Sequence, residues 1–377
     1  MAKVNNWQLS REMEFPYGES RSNRQWAGVF DINKCIGCQT CSLACKTTWT
    51  TGRGQEYMFW NNVETKPYGY YPLGWDVKLL EMLETQEWGN GVYQGKTIFE
   101  AKQAGEKMVG FTPEDEDWSY PNIGEDEIAG GPVSQGMYIN YLPHPVWFFY
   151  LPRTCNHCTY PGCLAACPRK AIYKRKEDGV VLIDQKRCRG YRKCLKGCPY
   201  KKTMYRVNTR VSEKCIGCYP KIEQGLISQC FEMCIGKIRM QGFLNTPEKA
   251  DPANPLDFLV HIKKVALPSY PQFGTEPNIY YIPPKQVPLD YLTQIFGPGA
   301  KKAVETYKNA KEDEKLIGAL LLTGSTEKLI GSFKIQNGQA IGYDRKGNEI
   351  TRVPIKEPTV VRPHYDKRLD VYRLDVT

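Results

Sequence analysis

The chain contains no long hydrophobic run. Its longest apolar stretches, 145–151 and 316–322, fall far short of the ~20 residues that a membrane-crossing helix requires. The opening Met-Ala-Lys-Val-Asn-Asn-Trp has neither an apolar h-region nor an arginine pair, so no export address of its own is expected, which leaves export in company open. Histidine is scarce. His144, His157, His261 and His364 are scattered, and there is no Ser/His/Asp or Cys/His nucleophile pattern, no Walker loop and no dinucleotide fingerprint. The acidic runs 114–117 and 125–127 lack the Asp/Asn–Gly alternation of a calcium loop. No residue is assigned a catalytic role.

Cysteine is what the chain has in quantity, 15 among 377 residues. A disulfide framework suits neither the odd number nor the size of the chain. Structural zinc favours two separated Cys-x2-Cys pairs, and only Cys215/Cys218 resembles half of one. The spacings instead describe four cluster-wrapping segments. They read Cys35-x2-Cys38-x2-Cys41-x3-Cys45, Cys155-x2-Cys158-x4-Cys163-x3-Cys167-Pro168, Cys188-x2-Tyr191-x2-Cys194-x3-Cys198-Pro199 and Cys215-x2-Cys218-x11-Cys230-x3-Cys234. Three close cysteines followed by a fourth before proline is how a chain wraps an iron–sulfur cluster, the fourth thiolate reaching across to the other cluster of a pair.

Applied to all four segments, the crossing rule uses every cysteine. It expects [4Fe–4S] clusters at Cys35/Cys38/Cys41/Cys234, at Cys45/Cys215/Cys218/Cys230 and at Cys155/Cys158/Cys163/Cys198. The remaining set is Cys167/Cys188/Cys194, because Tyr191 stands where a thiolate would be. Three thiolates hold a [3Fe–4S] cluster. A [4Fe–4S] cluster with an oxygen ligand, Tyr191 itself or solvent, is the competing reading; a bulky aromatic closing the corner favours three irons. Fewer thiolates also mean less negative charge, so this centre is expected to have the highest potential.

The nesting of segments implies an α+β fold of two nested bacterial-ferredoxin-like two-cluster units, with long irregular insertions and a wrapping C-terminal tail. The expected division is an N-terminal arm, 1–30; an outer unit, 31–45 plus 206–244; an insertion that contacts another subunit, 46–150; an inner unit, 151–205; and the tail, 245–377. Within these, Phe30–Asn33 and 201–211 read as strands, and Ala171–Tyr173 with Val180–Ile183 as a hairpin. Helices are expected at 289–296, 300–310 and 312–322, and Asn337-Gly338 marks a second hairpin. The net charge of +10 is concentrated between Arg169 and Arg210. A nucleic-acid patch is one reading. Compensation of anionic clusters, together with docking to an acidic partner, is the stronger one.

The four-segment order, with Cys188-Arg-Gly-Tyr-Arg-Lys-Cys194 and Ser212-Glu-Lys-Cys-Ile-Gly-Cys-Tyr-Pro220, resembles the iron–sulfur beta subunits of molybdenum enzymes of the dimethyl sulfoxide reductase family. Nitrate reductase beta subunits of that family carry an aromatic at the position of Tyr191 and hold a [3Fe–4S] cluster there. The stretches 54–72, 155–175 and 265–284 are similar to nitrite oxidoreductase beta subunits. The resemblance implies an alpha subunit carrying a molybdenum bis-pterin cofactor that oxidises nitrite with water to nitrate. Electrons would then enter at the Cys35/Cys38/Cys41/Cys234 cluster. They would leave from the three-iron centre toward a haem-bearing gamma subunit or a cytochrome. It also implies a location in the periplasm or an anammoxosome-like compartment by co-export with alpha, or on the cytoplasmic face of the membrane. Related nitrate, selenate, chlorate and perchlorate reductases and ethylbenzene dehydrogenase share the class.

Overall fold

The computed structural model of the chain describes residues 1–19, 21–67, 71–118, 147–356 and 361–376. The acidic run 125–127 and His144 lie outside these. The fold is a mixed α/β arrangement whose cysteines sit on short helices and loops, set against a four-stranded sheet. The strand order is Arg239–Leu244, Gln25–Asp31, Ile279–Ile282, Leu267–Pro268. Gln25–Asp31 runs antiparallel to Arg239–Leu244 and parallel to Ile279–Ile282, so segments far apart in sequence are bound together at the centre.

Strand side chains alternate between faces, and here both faces are covered. Trp26 and Phe30, with Ile279 and Tyr281, join the core that contains most of the cysteines. Ala27 and Val29, with Met240, Leu244, Tyr280 and Ile282, join a second core completed by Leu316, Leu320, Phe333 and Ala340 of the C-terminal region. Residues 1–30 were expected as a polar arm. They form instead a hairpin, Ala2–Asn6 with Arg11–Phe15, followed by the sheet's inner strand. A strand buried on both faces loses the polar/apolar alternation that would have marked it. That strand ends at Asp31, whose side chain accepts from Asn33 N and starts a helical turn over Ile32–Lys34, not the strand expected there. At Gly28 a methyl group would lie 2.6 Å from the ring of Phe231, so only glycine lets that ring pack against the strand.

The expected hairpin forms as Ile172–Lys174 paired with Val181–Ile183. A similar one, Thr203–Arg206 with Val211–Lys214, follows the next cysteine segment. The C-terminal helices occupy Leu289–Phe296, Ala300–Lys308 and Glu314–Leu321. The last starts two residues later than its sequence suggests, because the Asp313 carboxylate caps Leu316 N. Asn337 and Gly338 both have positive φ, as a two-residue hairpin turn between Ser332–Gln336 and Gln339–Tyr343 requires. Among the described residues no helix is long and apolar enough to cross a membrane.

Candidate electron-transfer sites

The four cysteine segments share one backbone device. Two residues after the first cysteine of three segments stand Gly37, Gly190 and Gly217, all with left-handed φ of 64–67°. The remaining segment, Cys155–Cys167, places His157 there, at φ 40°, a conformation unfavourable for a side chain. Three residues after the last cysteine, Lys170, Lys201 and Lys237 take φ values of 49, 51 and 49°. The first segment departs from this: Lys46 follows Cys45 where proline follows Cys167 and Cys198, and its helix continues over Thr40–Trp49.

Each short helix serves two thiol sets. Thr40–Trp49 carries Cys41 and Cys45 one turn apart, and Gln229–Glu232 carries Cys230 with Cys234 just beyond. Gly162–Ala166 carries Cys163 with Cys167 at its end, and Lys193–Gly197 carries Cys194 with Cys198 at its end. This last pair crosses at two glycines; a methyl on Gly162 would lie 2.3 Å from the Gly197 carbonyl oxygen.

Two of the expected sets line cavities. Cys45, Cys215, Cys218 and Cys230 line one together with Trp26, Trp49 and Trp60. Cys155, Cys158, Cys163 and Cys198 line another together with His157, Lys202, Thr203 and Lys214. Among the described residues no three His, Cys, Asp or Glu converge on a single-ion site. The other two sets are also brought together. Cys35 feels the charges of Cys41 and Cys234, and Cys194 those of Cys167 and Cys188.

Burial pushes most of these thiols upward: Cys35 to about 11, Cys194 and Cys215 to about 12, Cys163 and Cys230 well above the usual range. Donors and cations oppose that. Trp49 Nε1 donates to Cys218 Sγ at 3.2 Å, Ala171 N to Cys167 at 3.3 Å, Lys202 N to Cys198 at 3.3 Å and Ser212 N to Cys188 at 3.4 Å. Burial opposes the charge of Lys214, yet Cys155, Cys215 and Cys163 more than offset it and hold this lysine above its ordinary value. Burial pushes Lys201 and Lys202 down to about 7.

Buried polar atoms without protein partners test what these cavities would hold. Trp26 Nε1 and Trp60 Nε1 are unpaired beside the first cavity, and His157 Nε2 and Thr203 Oγ1 beside the second. The His157 Nδ1 accepts from Val181 N at 3.0 Å, so its proton sits on Nε2. Indole and imidazole N–H groups left unpaired cost about 1–3 kcal/mol each. A sulfur-rich anionic cluster would accept from them, so the residues fit iron–sulfur clusters.

The sets stand in series. Arg239 reaches Cys41 and feels Cys230, Cys234 and Cys35, linking the first set to the second. Thr154 Oγ1 donates to Cys215 at 3.8 Å beside Cys155, linking the second to the third. The glycine-crossed helices link the third to the fourth. All thiols of the two middle sets are buried, whereas Cys38 is exposed at one end and Cys188 partly exposed at the other. Tyr191 is 61 % exposed. Arg239, Trp26, Trp49 and Lys214 had not been singled out from sequence. Arg239 opens the strand Arg239–Leu244, which also contains Gln241, so nothing in that stretch marks it.

Residues 146–244 match the 4Fe-4S dicluster domain family. The chain is 41 % identical to dimethylsulfide dehydrogenase subunit beta of Rhodovulum sulfidophilum, across 76 % of this chain and 91 % of that one. It is 42 % identical to selenate reductase subunit beta of Thauera selenatis, across 76 % and 90 %. The respiratory nitrate reductase 1 beta chain of Escherichia coli strain K12 is 30 % identical, across 81 % and 78 %. With cysteines packed into four consecutive sets and relatives matched along most of both chains, this protein belongs to the iron–sulfur beta subunits of the dimethyl sulfoxide reductase family of molybdopterin oxidoreductases, the electron-transfer subunits of those complexes.

Proposed function

We propose that this chain is the electron-transfer subunit of a nitrite oxidoreductase. In that reading, a molybdenum-bearing alpha subunit converts nitrite and water to nitrate, releasing two protons and two electrons, and the electrons pass through this chain to a haem gamma subunit or a cytochrome. The observation that carries the relay is the series of four thiol sets, buried in the middle and open at both ends. When bound, three [4Fe–4S] clusters and one [3Fe–4S] cluster would supply one-electron carriers at these sets. Cys35, Cys38, Cys41 and Cys234 would hold the first, Cys45, Cys215, Cys218 and Cys230 the second, and Cys155, Cys158, Cys163 and Cys198 the third. Cys167, Cys188 and Cys194 would hold the three-iron cluster.

The protein's own work is to fix these thiols and keep water from the middle sets. It also supplies donors and cations that stabilise the reduced, more negative state. The two sets of each pair share helices, so neighbouring carriers stay at fixed separation. The likeness of stretches 54–72, 155–175 and 265–284 to nitrite oxidoreductase beta subunits supports nitrite as the partner's substrate. It also supports a location set by co-export with alpha. A second reading, the beta subunit of a selenate, chlorate, perchlorate or nitrate reductase, is favoured by the identities of 39–43 % to proteins of those names.

The native complex separates the two. Nitrite-dependent reduction of a high-potential acceptor, faster than reduced-viologen oxidation by nitrate, selenate or chlorate, is the expected result. Turnover of selenate or chlorate without nitrite oxidation would favour the second reading.

A further inference from the structure

Arg239 is fully buried, and among the described residues no carboxylate pairs with it. Its Nη2 donates to Cys41 Sγ at 2.8 Å and its Nη1 to Asn61 Oδ1 at 3.2 Å, while Nε has no partner. The guanidinium lies 4.5 Å from the ring centre of Phe30 and 5.9 Å from that of Phe231, and Phe231 also lines the cavity of the second thiol set. A buried guanidinium with no counter-charge is costly. The counter-charges that surround this one are thiols: Cys41, Cys234 and Cys35 of the first set and Cys230 of the second. Unlike the exposed cations of 186–193, it is neither screened by water nor free to swing away.

We propose that Arg239 is a positioning residue for electron transfer, a fixed positive charge shared by the first two thiol sets that sets the potential of the first above that of the second. A charge-assisted donor shorter than 3 Å acts most on the site that it touches. The first site, through Cys41, gains the larger stabilisation of its reduced state, and the second, which Arg239 reaches only through space, the smaller. An electron arriving at the exposed end is therefore held there in preference to the next site, and the two sites repel each other's electrons less. This rests on the clusters being bound as proposed above, and the test separates the two.

Iron is first counted in the intact wild-type complex. Its absence would sink the cluster assignment and not this inference alone. Arg239→Gln is then compared with wild type by redox titration, followed by electron paramagnetic resonance. The expected result is unchanged iron and one four-iron couple whose reduced-to-oxidised ratio at fixed potential falls at least tenfold, about 59 mV for one electron. A second couple falls less, and the three-iron signal, remote from Arg239, does not move. Full iron with every midpoint unmoved would overturn the proposal; a merely structural arginine would lower stability or iron content without moving a midpoint. If the glutamine variant does not load iron, Arg239→Met, which fills similar volume without charge or donors, carries the test. The same couple then falls, and an unmoved couple overturns the idea.

Discussion

The two ends of the thiol series are built differently. At the Cys35/Cys38/Cys41/Cys234 end the rim exposes large apolar side chains, Ile36 and Ile235 each 64 % and Leu43 58 %, beside Lys34 and Lys237, and a further cation, Arg239, is buried beneath. At the Cys167/Cys188/Cys194 end the cations are outside. Lys186, Arg187, Arg189, Arg192 and Lys193 are all exposed around Tyr191, and the thiols of Cys167 and Cys188 receive backbone N–H groups. Apolar rims are suited to a persistent interface from which water is expelled. Exposed cations are suited to steering an acidic partner that comes and goes. The difference teaches that a similar local fold can carry its compensating charge buried at one end and spread over the surface at the other.

The largest effect that can break this comparison is loss of a whole site. Cys45→Ser and Cys230→Ser, from segments almost two hundred residues apart, are expected to abolish the same spectroscopic component and about four irons each; two different losses would refute the crossed pairing. Tyr191→Cys is expected to convert the charged end into a likeness of the apolar end. One iron is gained, the narrow signal of the oxidised protein disappears, and the midpoint of that site falls. Retention of the signal would mean that position 191 does not face the open corner.

Smaller effects sharpen the contrast in docking. Arg187→Ser with Arg189→Ser should slow electron delivery to an acidic acceptor by ~3–10-fold at low salt, with the difference vanishing at high ionic strength. Ile36→Ser with Ile235→Ser should weaken association at the other end regardless of salt; equal salt dependence at both ends would erase the distinction. The smallest expected change is Trp49→Phe, which removes the indole N–H from Cys218. It should lower the reduced-to-oxidised ratio of the second site at fixed potential by ~2–10-fold, read by the same titration.

Much of the site was legible because iron–sulfur ligation is local. Spacings such as Cys155-x2-Cys158-x4-Cys163 fix which thiols share a loop. The hairpins around 177–179 and Asn337-Gly338 were legible for a similar reason, since turn chemistry is written in adjacent residues. The inner strand Gln25–Asp31 was not, because burial on both faces erases its alternation. Nor were Arg239, Trp26 and Trp49. Each becomes meaningful only when strands and helices from opposite ends of the chain meet: Arg239 beside Cys41, Trp49 beside Cys218, and Trp26 edge-on to His157 at 4.8 Å. Periodicity within a window cannot report a contact of that range.

The most direct measurement is electron paramagnetic resonance on the anaerobically purified, oxidised complex with the iron of this subunit counted alongside. About fifteen irons and a narrow, nearly isotropic signal that vanishes on mild reduction are expected from four thiol sets ending in a three-thiolate corner. A silent oxidised protein with about sixteen irons would contradict the account, placing an oxygen ligand at Tyr191's corner and removing the high-potential terminus from that end.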